Sequence, residues 1–142
     1  MKKLLLFLLF LNLVVANNNS FLPFGEYTGK ITQTIKFVHS YYWGGDINAK
    51  VDSNGYFSII IPQHDVSDKI KLNSTIIGFS SFTIDNSIPG ACYPVRPTSS
   101  DSNVSDLLID DCFYNNGNLK LHYIEMYESL FAVEGIIELN HN

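Results

Sequence analysis

The chain has 142 residues, with 9 Lys plus Arg against 14 Asp plus Glu, a formal net charge of −5. That length fits one domain able to bury about two-thirds of its unfolded surface, without a metal or a dense disulfide framework to hold it together. An acidic chain with no basic stripe repels phosphate backbones, which argues against nucleic acid as a partner.

Residues 1–16 read as a secretory signal peptide. Lys2 and Lys3 give the positive start, and Leu4 to Val15 form an apolar run broken only by Asn12. Val14 and Ala16 stand where signal peptidase takes small residues. A bilayer-spanning helix needs roughly 20 apolar residues, so this run is short for an anchor. The expectation is an extracellular, soluble single domain over 17–142, with no membrane span and with only seven basic residues against the same 14 acids.

Period-two alternation dominates the chain beyond the leader. From Tyr27 to Phe37, Tyr27, Gly29, Ile31, Gln33, Ile35 and Phe37 share one face, and Thr and Lys fill the other. That is a strand with one wet side, and Gln33 is the polar exception on its dry side. Tyr41-Tyr42-Trp43-Gly44-Gly45 then reads as a loop carrying three large rings. Ile47, Ala49 and Val51 alternate with polar residues up to Ser53-Asn54-Gly55, and Phe57, Ile59 and Ile61 come next. Matching the apolar faces requires a three-residue loop, a type I turn with Gly55 in the left-handed position. It pairs Val51 with Phe57, Ala49 with Ile59 and Ile47 with Ile61.

Pro62 ends that strand, because it cannot donate to a ladder. Gln63 to Asp68 reads as a polar connection, and Ile70 to Ile84 as one strand or as two broken at Gly78. Asn86 to Asn103, with Pro89, Gly90, Pro94 and Pro97, reads as an irregular excursion, and Val104 to Tyr114 as a strand or a short helix over 106–111. Asn115 to Asn118 is a turn between Val104–Tyr114 and the strand Leu119–Met126, and Leu130–Leu139 is the last strand. The class is all-β: an antiparallel up-and-down barrel of the calycin kind or, as the alternative, a two-sheet β-sandwich. Gly25-Glu26-Tyr27 resembles the Gly-x-Trp motif that opens the first strand of lipocalins, with Tyr in place of Trp; the likeness covers three residues.

Two cysteines occur, Cys92 and Cys112, and an oxidising compartment joins such a pair in one bridge. Asn18, Asn73 and Asn103 each begin an Asn-x-Ser/Thr sequon, the acceptor of N-glycosylation on an exported eukaryotic protein. His39, His64, His122 and His141 lie too far apart for a metal motif, and His122 falls on the solvated side of its strand. No Gly-x-Ser-x-Gly elbow is present, so the reading is a non-enzymatic protein with no cofactor and no metal.

Two functions fit. One is a binding module holding a small apolar or amphipathic ligand inside the barrel, against Ile31, Ile35, Val51, Phe57, Ile59, Phe131, Val133 and Ile137. Gly29 and Gly135 would leave room for it. The other uses Tyr41, Tyr42 and Trp43 to contact a glycan or an extracellular protein, since such rings dominate contact energy.

Overall fold

The computed structural model describes residues 22–37, 39–62, 64–67, 70–72, 75–79, 82–84, 90–128 and 130–142. The leader, Asn18 and Asn73 lie outside them. The described residues contain no helix, and so none long and apolar enough to cross a membrane.

Among the described residues twelve strands follow one another: β1 (Gly25–Lys36), β2 (Ser40–Val51), β3 (Phe57–Ile61), β4 (His64–Ser67), β5 (Ile70–Leu72), β6 (Thr75–Phe79), β7 (Phe82–Ile84), β8 (Cys92–Pro94), β9 (Thr98–Ser99), β10 (Val104–Asn115), β11 (Asn118–Tyr127) and β12 (Phe131–His141). Eight of them form one antiparallel sheet in the order β10-β11-β12-β1-β2-β3-β6-β9, rolled nearly into a barrel. The first and last long strands are neighbours, with Tyr27 facing His141 and Lys36 facing Ala132. The β4–β5 and β7–β8 hairpins stand apart from this sheet.

At the seam, where β10 meets the other edge, the chain just before β8 lies against β10. Tyr114 N–H donates to Gly90 O at 2.8 Å, and Ala91 bridges to Phe113. The Cys92–Cys112 disulfide joins β8 to β10 there, with Cα atoms 4.9 Å apart.

The turn at Gly55 has the expected form. Gly55 N–H donates to Asp52 O at 2.9 Å, Asp52 N–H donates to Tyr56 O at 3.0 Å, and Gly55 has φ 76°. Val51 pairs with Phe57 and Ala49 with Ile59, but the third expected pair, Ile47 with Ile61, is not in the ladder. At the next tight turn Asn116 and Gly117 have φ 48° and 85°, the left-handed pair of a two-residue hairpin.

Three expectations need correction. Tyr41–Gly45 is part of β2, paired with Ile31–Ile35 of β1, and not a loop. His64–Ser67 is a strand paired with Ile70–Leu72. Gly78 lies within β6 and does not break it. Of the two readings of Val104 to Tyr114 the strand holds: residues 106–111 belong to β10, where shifts of register beside Asp106 and between Ile109 and Asp111 disturb the alternation.

Side chains that alternate inward fill the barrel. Its lower end holds Tyr27, Val51, Phe57, Phe79, Leu119 and Leu139, all nearly fully buried, with Leu22 laid across them. The Phe57 and Phe79 rings stack at 4.6 Å, and Tyr27 O–H donates to Pro23 O at 2.8 Å. Each such side chain is worth about 1.5–3 kcal/mol when withdrawn from water. The upper end is a separate, smaller cluster of Ile35, Tyr127 and Val133, with Tyr41, Val104 and Phe131 half-buried against it.

Candidate functional site

Between the two apolar ends the barrel interior turns polar. Register puts Tyr123, Gly135, Gln33 and Trp43 in one row across β11, β12, β1 and β2. A Cβ on Gly135 would collide with the Tyr123 ring, so the glycine is what lets that ring lie across the strand toward Gln33. Gln33 Nε2 donates to Tyr123 Oη at 2.6 Å, and Gln33 Oε1 has no partner.

One row higher, Glu125 stands level with Val133 and Ile35. It is 2% exposed, and its Oε2 accepts from Tyr127 O–H at 3.0 Å while Oε1 has no partner. Burial pushes its carboxyl up to about 7; the Tyr127 hydrogen bond opposes this and the Asp101 charge adds to it. Asp101, in the turn before β10, is 8% exposed. Its Oδ1 accepts from Asn103 N–H at 2.9 Å, and Oδ2 has no partner. Buried Thr75, at the start of β6, hydrogen-bonds the Tyr127 hydroxyl. Burial first, and the neighbouring Glu125 charge second, hold both Tyr123 and Tyr127 above the ordinary phenol value.

A cleft of about 180 Å³ opens beside this group, lined by Asp101, Asn103, Tyr127, Glu128, Leu130 and Phe131. Its rim is apolar. Phe131 stacks on Tyr127 at 4.5 Å, Phe37 meets Phe131 edge-on at 6.3 Å, and Phe37 and Leu130 are exposed. Larger depressions of about 450 and about 360 Å³ lie on the outer face, one around Thr28, Lys30 and Asp46 and the other around Phe113, Asn118 and Lys120. Every polar side chain named there is exposed, so neither depression holds a polar group withdrawn from water. The upper end of the barrel, where buried polar groups with unpaired oxygens adjoin a cleft, is the candidate site.

Most of the residues expected to line the interior are buried: Ile31, Ile35, Val51, Phe57, Ile59, Val133 and Ile137. Phe131 is half-buried at the rim. Gly135 leaves no vacancy, because Tyr123 occupies its space, and Gly29 sits against the backbone of Glu138 and Leu139.

The three rings at Tyr41 to Trp43 do not form one patch. Tyr41 packs on the upper cluster and Trp43 on the core, with its indole over Gly45, whereas Tyr42 points outward and is 78% exposed. Asn103 is exposed in its turn, open to modification.

His122 is less solvated than expected. On the outer face it bonds Asp110 through Nδ1 and Glu134 Oε1 through Nε2 at 2.8 Å, and Glu134 also pairs with Lys36. Burial works against the imidazolium, but the bonds to Asp110 and Glu134 outweigh it and raise the pKa. Lys36 first, and His122 second, lower that of Glu134. The cluster ties β10, β11, β12 and β1 together across the sheet. Among the described residues no three His, Cys, Asp or Glu side chains form a metal-binding group.

Glu125 was missed by sequence reasoning, although one signal was present. Leu119, Leu121, Tyr123, Glu125 and Tyr127 alternate on a single strand face, which places the acid indoors. Asp101 lies in a turn and gives no such signal. No family model, curated protein sequence or solved structure matches the chain.

Proposed function

We propose that the protein is a non-enzymatic, secreted binding module that takes a small amphipathic ligand into the upper end of its barrel. One observation carries the reading: Gln33, Asp101 and Glu125 are more than nine-tenths buried, yet each keeps a side-chain oxygen without a partner, behind an apolar rim. Unpaired buried acceptors cost free energy, about 1–3 kcal/mol each, and a ligand that donates to them recovers it. The apolar rim of Phe37, Leu130 and Phe131 suits the other half of such a ligand. A cleft of about 180 Å³ is below the roughly 300 Å³ of a drug-sized site, so the guest is small or only partly enclosed.

Export fits the disulfide, and a signal peptide over residues 1–16 accounts for the apolar leader. The competing reading, contact with a glycan or protein through Tyr41 to Trp43, is weakened because two of the three rings turn inward.

Native mass spectrometry of the protein purified from its own source tests the reading. A small molecule that stays bound in the folded protein and leaves on unfolding is expected. Bare protein in every charge state would count against it.

A further inference from the structure

A small amphipathic guest leaves open which chemistry the polar end selects, and the residues there narrow it. Asp101 and Glu125 both adjoin Tyr127, Glu125 through the bond to its hydroxyl and Asp101 in the same cleft lining, and among the described residues neither has a basic partner. Lys36, on the neighbouring part of β1, is engaged on the outer face with Glu134. Resting on the proposed ligand-binding function, we infer that the occupant presents a protonated amine to the unpaired oxygens Glu125 Oε1 and Asp101 Oδ2, with its apolar body against Tyr127 and Phe131.

Three observations support the charge. First, two partly satisfied carboxylates withdrawn from water lack a counter-charge, and a buried charge without one is costly. An ammonium group has three donors, enough for both orphaned carboxylate oxygens; a hydroxyl has one. Second, Glu128 adds a further acid to a cleft lining that holds no basic residue, so an anionic guest meets only like charge there. Third, the stacked Tyr127 and Phe131 rings offer π faces, which attract cations as well as apolar groups. A metal ion is the other cationic occupant to consider, but no cluster of three carboxylate, imidazole or thiolate donors exists among the described residues.

The test titrates isotope-labelled, disulfide-bridged protein at pH 8 with benzylamine, benzyl alcohol and phenylacetate, following the backbone amides of Asn103, Val104, Tyr127 and Phe131. Benzylamine is expected to move them with an affinity at least tenfold above that of benzyl alcohol, and phenylacetate to leave them unmoved. Asp101→Asn and Glu125→Gln keep the shape of the site, and each should cost benzylamine at least tenfold more than it costs benzyl alcohol. Equal affinities for amine and alcohol overturn the amine assignment and leave the binding function standing. If no probe moves those amides, both fall. If calcium chloride alone moves them and displaces benzylamine, the occupant is a metal ion and the inference is wrong.

Discussion

Replacing Glu125 by Gln removes one charge and keeps both the shape and the acceptor for Tyr127 O–H. Its consequence depends on where the carboxyl titrates. An ordinary carboxyl releases its proton near 4.5, whereas burial holds the Glu125 proton to about 7 in the fold. The folded chain therefore binds a proton that the unfolded chain has already lost. The sign is fixed: this residue costs nothing below about pH 4.5, and stability falls as the pH rises through 7. The full cost is on the order of 3 kcal/mol, from a gap of 4.5 to about 7. Glu125→Gln should thus be more stable than wild type by roughly 3 kcal/mol at pH 8, and by less than about 1 kcal/mol at pH 5. Urea unfolding of both proteins across that range measures the difference. A gap that stays constant with pH would mean that Glu125 titrates like an exposed acid, and the buried carboxylate would have to be abandoned.

Gly135→Ala drives a methyl into the Tyr123 ring and should cost about 1–3 kcal/mol as an overpacked core, with loss of the Gln33 bond adding to it. A urea midpoint equal to that of wild type would show that the ring does not lie across the glycine. Removing the bridge as Cys92→Ala with Cys112→Ala reopens a 20-residue separation at the barrel seam and should cost about 3 kcal/mol by calorimetry, less if the unfolded chain keeps structure. His122→Gln tests the outer cluster. The folded pKa of His122 is raised, so its contribution is complete below 6.5 and fades as the pH climbs past the folded value. The loss should be under about 1 kcal/mol near pH 6 and vanish in alkali, because the pairs are partly exposed.

The parts of this fold that obey local rules could be read directly from the sequence. The one-sided alternation of Tyr27 to Phe37 gave β1, Asp52 to Tyr56 gave a turn with its register, and two cysteines gave the bridge. The expectations failed where tertiary pairing overrode local signals. Gly44 and Gly45 look like a loop, but β1 pairs with them along its length, and Gly45 makes space for the Trp43 indole. In β10 the register shift between Ile109 and Asp111 breaks the alternation that would have marked a strand. Gln33 was visible as a polar residue on a dry face. Its partner Tyr123 was not, nor was the group of Glu125, Thr75 and Asp101 around Tyr127, because these residues come from β11, β6 and a turn that closure of the sheet brings together. The interior glycines carried a misleading signal: Gly135 suggested space, and the space belongs to a tyrosine.

A carboxylic acid kept out of water at the upper end of the barrel is the feature on which the proposed site depends. Its direct measurement is a carbon-13 NMR titration of the Glu125 side-chain carboxyl in the folded protein. The structure predicts a midpoint of about 7. A midpoint near 4.5, with the other glutamates, would mean that water reaches Glu125 freely and that no polar site is held there.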